Sequence, residues 1–283
     1  MRLIDSHAHL QAPAFNDDTA LVLAAARAAG VERMLAPGWD VATSVDSLAL
    51  AERHHGVDAA VGIHPHLAAS ADDAGRAAIE RLAEDPRVVA IGETGLDYDR
   101  DFSPRETQLS NLRWHVELAR RTGKPLILHC RSRPGERDAQ DDLMRELRDA
   151  GAGAGEWRAR MAMRPPAVLH SFSGPVDYAQ VALELGCAIS FSGLVFRRGE
   201  EASAVVATLV PSERLLVETD SPYLSPPSAP RRRNEPCWVA VTAAWLAQQR
   251  GVDPAGLGDD LVAAYDRTFG ARSVTKVTTP DPA

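Results

Sequence analysis

Short apolar runs alternate with longer segments of helical periodicity along the whole chain. Eight of these runs are rich in β-branched and aliphatic residues and are predicted as strands: residues 2–6, 31–36, 57–63, 88–92, 125–129, 167–170, 187–191 and 214–219. The segments between them are long enough for crossover helices, as at residues 20–29, 44–54, 74–83, 105–121 and 176–185. This alternation predicts a parallel sheet covered by helices, and eight repeats predict a single-domain (β/α)8 barrel of the TIM type.

We assign residues 1–270 to this barrel. Two polar or small-residue stretches, 131–137 and 151–164, are predicted to be loops, the second because its Gly-Ala-Gly-Ala-Gly sequence disfavours a packed helix. Residues 271–283 lack an apolar period and are predicted to form a flexible tail.

Charge and composition limit the partners that the chain can bind. Lys and Arg total 31 against 39 Asp and Glu, a net charge of −8, so the surface as a whole repels polyanions and any contact with nucleic acid must be local. No segment approaches the roughly 18 apolar residues of a membrane span, and the N-terminus has no apolar leader. Three widely spaced cysteines fit reduced thiols. We therefore expect a cytoplasmic protein with no membrane partner.

Imidazole and carboxylate side chains stand at the ends of the predicted strands. His7 and His9 are two residues apart, so in an extended chain both point to the same face. Such a pair alone is a weak signal of a metal site. Four more side chains each follow a different strand, where barrel enzymes place catalytic groups: Glu93, His129, His170 and Asp220. Four imidazoles and two carboxylates exceed the three protein ligands of one catalytic zinc, which predicts two ions.

These motifs resemble those of the TatD family of metal-dependent deoxyribonucleases, which are amidohydrolase-like barrels. The resemblance extends from residue 2 to about residue 269. The matching segments are Asp-Ser-His-Ala-His (5–9), Gly-Ile-His-Pro-His (62–66), Gly-Glu-Thr-Gly-Leu-Asp-Tyr (92–98), His-Cys-Arg (129–131), His-Ser-Phe-Ser-Gly (170–174), Ser-Phe-Ser-Gly (190–193), Glu-Thr-Asp-Ser-Pro-Tyr-Leu (218–224) and Arg-Asn-Glu-Pro (233–236).

The resemblance implies a ligand set for two divalent ions. The first ion would take His7, His9 and Asp220, the second would take His129 and His170, and Glu93 would bridge them. Glu93 and Asp220 are the expected catalytic residues, because bridged ions clamp a phosphodiester and Asp220 could accept the proton of the attacking water. Mg²⁺ or Mn²⁺ is expected, although four imidazoles also suit Zn²⁺.

The resemblance also implies contacts with the substrate, from His64, His66, Arg131 and Asn234. For His64 and His66 the alternative is a buried pair bonded to the backbone. Asp97 and Tyr98 either orient ligands or shape their loop.

Three further features accompany the motifs, and the last two are departures from the family pattern. The basic run 231–233 either attracts phosphates locally or is a solvated charge run. Residues 133–136 are an insertion relative to the family pattern, between Ser132 and an Arg-Asp-Ala segment at 137–139. Ser171 stands where many relatives have Cys. None of these departures removes a predicted ligand, and the insertion is expected to affect substrate preference.

The resulting functional prediction is a 3′–5′ exonuclease that removes nucleotides from single-stranded DNA ends and acts as a monomer. One alternative is an ester or amide hydrolase of the same superfamily, such as a D-aminoacyl-tRNA deacylase, because the same ions could activate water against a carbonyl. Another is a non-catalytic nucleic-acid-binding module, which the intact set of costly buried ligands disfavours.

Overall fold

A barrel of eight parallel strands forms the centre of the protein. The computed structural model describes residues 1–230 and 233–271. Its strands are β1 (Leu3–Asp5), β2 (Val31–Pro37), β3 (Val57–Val61), β4 (Val88–Asp97), β5 (Leu126–Arg131), β6 (Ala167–Leu169), β7 (Ala188–Phe191) and β8 (Leu215–Val217). Each strand pairs with the next along the chain. The predicted (β/α)8 fold is confirmed, while residues 272–283 of the predicted tail lie outside the described residues.

Helices cover the outside of the barrel. Those in the described ranges are α1 (Thr19–Ala28), α2 (Val41–Arg53), α3 (Asp73–Ala83), α4 (Arg105–Thr122), α5 (Asp138–Asp149), α6 (Gly155–Arg160), α7 (Val176–Glu184), α8 (Ala202–Leu209), α9 (Val239–Arg250) and α10 (Pro254–Phe269). Each longer helix buries one stripe, as α4 does with Leu109, Leu112 and Val116. None of the helices in these ranges combines the length and apolar character needed to span a bilayer.

The barrel is closed by hydrogen bonds between the segments that follow β1 and β8. The N–H of Asp220 donates to the carbonyl of His7 (2.9 Å), and the N–H of His9 donates to the carbonyl of Ser221 (2.8 Å). These bonds lie beyond the ends of the two short strands. They hold two predicted ligand segments side by side.

Strand β4 is longer than the sequence predicted. It was expected to end at residue 92 but continues to Asp97. Its pairing with β5 shifts register between Ile91 and Thr94, where three steps on β4 match two on β5. One extra residue in a strand is a β-bulge, which re-aims side chains and is frequent beside active sites. Glu93 therefore lies at the bulge, within β4. The periodicity of the sequence did not indicate this bulge.

The predicted loop at 151–164 contains a short helix, α6. The glycine-rich sequence ends where this helix begins, and Trp157 within it is 2% exposed. Burial of an indole stabilises a short helix that its own sequence would not. The prediction of a loop was therefore wrong for residues 155–160. The segment precedes β6 and so lies at the amino-terminal face of the barrel, opposite the predicted ligands.

Candidate metal centre at the mouth of the barrel

The side chains predicted as metal ligands come together at the carboxyl end of the barrel. We call them the centre: His7 and His9 after β1, Glu93 in β4, His129 in β5, His170 after β6 and Asp220 after β8. Their side chains are buried, and that of Asp220 is the most exposed at 14%. Ionisable groups are costly to bury unless they are paired or bind a cation.

One part of the centre has the spacing of ligands around a four-coordinate ion. The Nε2 atoms of His7 and His9 are 3.2 Å apart. Glu93 Oε2 lies 3.3 and 3.6 Å from these two nitrogens, and Asp220 Oδ1 lies 3.7 and 3.4 Å from them. A tetrahedral ion with bonds of about 2.0–2.1 Å separates its ligand atoms by about 3.3–3.4 Å. These five distances are compatible with a single cation among the four atoms.

Glu93 presents its other oxygen to a second pair of imidazoles. Its Oε1 lies 2.9 Å from Nε2 of His170 and 3.5 Å from Nδ1 of His129. Each of the two oxygens of this carboxylate thus faces a different group of imidazoles. Two cations that share a carboxylate need this arrangement.

Hydrogen bonds on the outer side of two rings determine which nitrogen faces the centre. His129 Nε2 lies 2.9 Å from Asp97 Oδ2, and His170 Nδ1 lies 3.3 Å from Glu218 Oε1. An ionised carboxylate only accepts, so we assign the protons to these outer nitrogens. The lone pairs of His129 Nδ1 and His170 Nε2 then face the Glu93 carboxylate. Lone pairs that face a carboxylate need a proton or a cation between them, which supports a cation site.

His9 and His64 have opposite tautomers by the same argument. His9 Nδ1 lies 3.3 Å from the Pro37 carbonyl, so its Nε2 lone pair faces the centre. His64 Nδ1 accepts the N–H of His66 at 3.1 Å, so its proton is on Nε2, which lies 3.3 Å from Glu93 Oε1. His64 therefore offers an N–H donor where the ligand candidates offer lone pairs. A donor suits an anionic oxygen better than a cation.

Two buried carboxylates at the centre, Glu93 and Glu218, stay ionised, whereas burial raises the pKa of Asp5, beside His7, to about 8. Burial alone would raise the pKa of Glu93, but positive charge on the neighbouring imidazoles, His170 first, lowers it well below its ordinary value, and a bound cation would supply the same positive charge. Burial would likewise raise the pKa of Glu218, but the hydrogen bond from His170 lowers it to about 2. Ionised Glu93 and Glu218 also raise the pKa of the buried His170 imidazole well above its ordinary value, so the carboxylates of the centre favour positive charge between them.

The centre opens into a cavity of about 1330 Å³ at the barrel mouth. His66 and Arg131 are on its wall. His66 Nε2 lies 2.7 Å from Asp97 Oδ2, and the Arg131 guanidinium lies 3.6 Å from the same oxygen with its side chain 43% exposed. The exposed rings of Phe102 and Tyr223 also line the cavity and could stack on bases. The volume exceeds the about 300–1,000 Å³ of ordinary small-molecule sites.

Asn234 has a different position from the one expected of a substrate contact. Its side chain is fully buried, and its Nδ2 donates to the carbonyls of Thr219 (2.9 Å) and Tyr223 (2.7 Å). These carbonyls lie on both sides of Asp220 in the chain. Asn234 therefore holds the Asp220 loop and does not face the cavity, so a contact with substrate is not supported.

The sequence left the basic run 231–233 open between local attraction of phosphate and a solvated charge run, and for Arg233 the structure does not support the first. Arg233 lies 2.8 Å from Asp18 and 2.6 Å from Glu235. These ion pairs engage its charge within the chain, so Arg233 is not free to attract phosphate. Arg231 and Arg232 lie outside the described residues.

Two buried carboxylates, Asp97 and Glu218, accept hydrogen bonds from rings of the centre. The sequence left the role of Asp97 open and assigned no role to Glu218. Asp97 accepts hydrogen bonds from both His66 and His129, which favours its role in orienting rings. Glu218 supports His170 and was not singled out, although the two-residue period places it on the same face as Asp220. The Tyr98 hydroxyl instead donates a hydrogen bond to Asp142 of α5, so Tyr98 contributes to the packing of that helix on the barrel.

A (β/α)8 barrel that gathers imidazoles and carboxylates at the carboxyl ends of its strands defines the class of metal-dependent barrel hydrolases. The family model described as TatD related DNase matches residues 4–270. The chain therefore belongs to the TatD-related DNase family, and it is a hydrolytic nuclease by class. The family resemblance of its motifs is confirmed.

Individual relatives resemble the chain over most of its length. It is 37% identical over 261 residues to the 3'-5' ssDNA/RNA exonuclease TatD of Cronobacter sakazakii, covering 90% of this chain and 93% of that protein. It is 33% identical to the uncharacterized metal-dependent hydrolase YabD of Bacillus subtilis, covering 87% and 90%. The crystal structure of YjjV, a TatD homolog of Escherichia coli, matches with a TM-score of 0.83 at 28% identity, covering 96% and 99%.

Proposed function

We propose that this chain is a metal-dependent 3′–5′ exonuclease of single-stranded nucleic acid. The observation that carries the proposal is the Glu93 carboxylate, whose two oxygens face two groups of imidazoles at the base of the mouth cavity. The C. sakazakii relative is named for the same activity. The proposal extends that activity to this chain.

The ligand set proposed for two divalent cations is that of the family pattern: His7, His9 and Asp220 for one, His129 and His170 for the other, and Glu93 for both. When bound, such a pair clamps a phosphodiester and lowers the pKa of a bound water toward about 7. We propose Zn²⁺ as the first ion to test, because ligand spacings of 3.2–3.7 Å fit a tetrahedral ion. Octahedral Mg²⁺ would bring adjacent ligands to about 2.9 Å.

The residues of the chain have separate tasks in the proposed reaction. The oxygen of water adds to phosphorus as the P–O3′ bond breaks, which releases a nucleoside 5′-monophosphate. The departing 3′ oxygen takes a proton from solvent and becomes the 3′-hydroxyl of the retained strand. Asp220 takes the proton of the attacking water, since its carboxylate is the most accessible of the centre. The Nε2–H of His64 donates to a phosphate oxygen, and Arg131 holds the phosphate from the rim. His66, which was expected to contact substrate, donates its Nε2–H to Asp97 and lies beside the phosphate on the cavity wall.

The shape and charge of the molecule favour a strand end over an internal site. The barrel interior below the centre is filled by packed side chains, so a strand cannot pass through it. A chain with a net charge of −8 cannot spread a long polyanion across its surface. We therefore propose two or three phosphate contacts, which give a log–log salt slope of about −1.5 to −2 for single strands.

The test compares linear and circular single-stranded DNA of the same sequence with metal-loaded protein. We expect mononucleotides from the linear strand and no product from the circle. Rapid cutting of the circle, or a salt slope steeper than about −5, would replace the end-directed mechanism with an endonuclease. An amino acid released from D-aminoacyl-tRNA, without nucleotide products, would favour the deacylase.

The proposal includes a cytoplasmic monomer. Cys130, Cys187 and Cys237 are free thiols, which fits a reducing compartment. Sedimentation of the purified protein tests the monomeric state, and fractionation of cells tests the location.

A further inference from the structure

We propose that the strand retained after each cleavage leaves the centre over the loop that follows β6, between Arg133 and Arg198, whose guanidinium groups hold its backbone phosphates. This subsite rests on the proposed exonuclease function and adds the path of the substrate and the length of strand that is recognised. Arg133 lies in the segment 133–136, between Ser132 and the Arg-Asp-Ala segment at 137–139.

The order of the strands places the two arginines on opposite sides of one path. Arg133 is in the loop after β5 and Arg198 is in the loop after β7, and both line the same cavity as His170. The β6 loop lies between them and contributes the small residues Ser173 and Gly174 to the cavity wall. The β5 and β7 loops therefore flank the β6 loop, and a strand that crosses the β6 loop passes between the two arginines.

The charges of both arginines are available to a ligand. Among the described residues, Arg198 has no carboxylate oxygen within 4.0 Å, and the closest to Arg133 is that of Asp101 at 3.9 Å. Arg137, at the end of the same β5 loop, lies 2.9 Å from Asp141 and so is already paired. An arginine on a cavity wall with little internal compensation is suited to a phosphate oxygen.

Both loops are tied to neighbouring elements, which holds the backbone that carries the two arginines. Arg137 directly follows segment 133–136 and lies 2.7 Å from Asp177 in the first turn of α7. Glu200 directly follows residues 198–199 and accepts a hydrogen bond from Ser173 Oγ at 2.8 Å. Fixed loops lose less conformational entropy when a ligand binds. The two sides of the path are thus positioned before the strand arrives.

The other side of the centre has the chemistry for the released nucleotide. The rings of Trp39 and Tyr223 lie 5.2 and 5.9 Å from the ring of His9 and line the cavity there. Aromatic faces stack on a base without regard to its sequence. The retained strand carries one phosphate for every further nucleotide, so its binding requires positively charged side chains spaced along the path. The arginines on the β5–β7 side match that need.

The experiment measures how each arginine contributes to binding as the strand lengthens. Arg133→Ala, Arg198→Ala and the double variant are compared with the parent on a thymidine dinucleotide and on a thymidine octanucleotide. Affinity for a fluorescein-labelled octanucleotide is measured by anisotropy in EDTA, and KM and kcat are measured with metal. Arg148→Ala is the matched control, because Arg148 is an exposed arginine in the last turn of α5 and does not line the cavity.

The expected loss follows from the salt dependence of one phosphate contact. A contact with a single strand contributes a slope of about −0.7, which at 0.1 M salt corresponds to about fivefold in affinity. Each variant should therefore weaken octanucleotide binding by about fivefold and flatten the salt slope by about 0.7. Dinucleotide KM and kcat should stay within about twofold of the parent, as should every value for Arg148→Ala.

Three outcomes separate the subsite from the exonuclease proposal. If the arginine variants bind and cut the octanucleotide as Arg148→Ala does, the subsite is wrong while the exonuclease stands. If the variants impair cleavage of the dinucleotide and the octanucleotide equally, the arginines act at the scissile phosphate and the proposed path is wrong. If the parent cuts no linear strand but the arginines still govern octanucleotide binding in EDTA, the exonuclease proposal fails and the subsite stands.

Discussion

Replacement of Glu93 is the most direct test of the centre. Glu93→Ala removes both oxygens, the one that lies 3.3 and 3.6 Å from His7 and His9 and the one that lies 2.9 Å from His170. Glu93→Gln keeps the shape and one carbonyl oxygen but turns an NH₂ group toward one of the two imidazole groups. We therefore expect Gln to disable one side of the centre and Ala to disable both.

The magnitude follows from the electrostatic contribution of such a group. Loss of a preorganised group at a charge that develops in the reaction costs about 10²–10³ in kcat. At about 1.36 kcal/mol per tenfold, this is at least about 2.7 kcal/mol of transition-state stabilisation. Glu93→Ala should lose at least about 10²-fold in turnover. Asp220→Ala should show a similar loss, because it removes the proposed proton acceptor.

The assay combines turnover of a 3′-labelled oligonucleotide with metal content per chain by elemental analysis. Circular dichroism checks that each variant is folded. Glu146→Gln is the matched control, because the Glu146 side chain is also buried, at 9% exposure, but pairs with Arg113 between outer helices. It should keep both metal and turnover. A folded Glu93→Ala protein that cuts at a near-normal rate with saturating metal would show that this centre is not the catalytic site.

Four further predictions concern other parts of the molecule. His64→Ala should raise KM or lower kcat while metal content stays the same, and loss of a metal equivalent would make His64 a ligand instead. Asp97→Asn should lower metal affinity or activity by about 10–100-fold, because ligand-orienting partners have effects of that size; an unchanged metal titration would contradict this. Removal of metal with EDTA should abolish turnover, and a divalent ion should restore it. Trp157→Ala should destabilise the protein by about 3–5 kcal/mol in urea unfolding, whereas a loss below about 1 kcal/mol would show that α6 contributes little packing.

The fold could be predicted from the sequence because the patterns that indicate strands and helices are local. Strand runs and helical stripes depend on the backbone periods of two and 3.6 residues, and both can be seen in one chain. The same period of two correctly placed His7 and His9 on one face. The prediction failed for residues 155–160, where burial of Trp157 stabilises a helix that the preceding glycines did not suggest. Helix formation there depends on a tertiary contact.

The position of the ligand candidates at strand ends was determined by the sequence, since parallel strands of a barrel bring their carboxyl ends to one face. How these groups meet was decided by the tertiary structure. The bulge that aims Glu93 depends on the register between β4 and β5. The proton on His129 depends on a carboxylate from another strand, Asp97.

The same distinction explains Asn234, which was expected to contact substrate, and Arg233, whose role the sequence left open. Asn234 and Arg233 match a family motif in sequence, but Asn234 is buried against the Asp220 loop and Arg233 is paired with Asp18, more than 200 positions away in the chain. A sequence pattern fixes which groups are present and the local direction of their side chains. Which donor finds which acceptor depends on elements far apart in sequence, and only closure of the barrel brings those elements together.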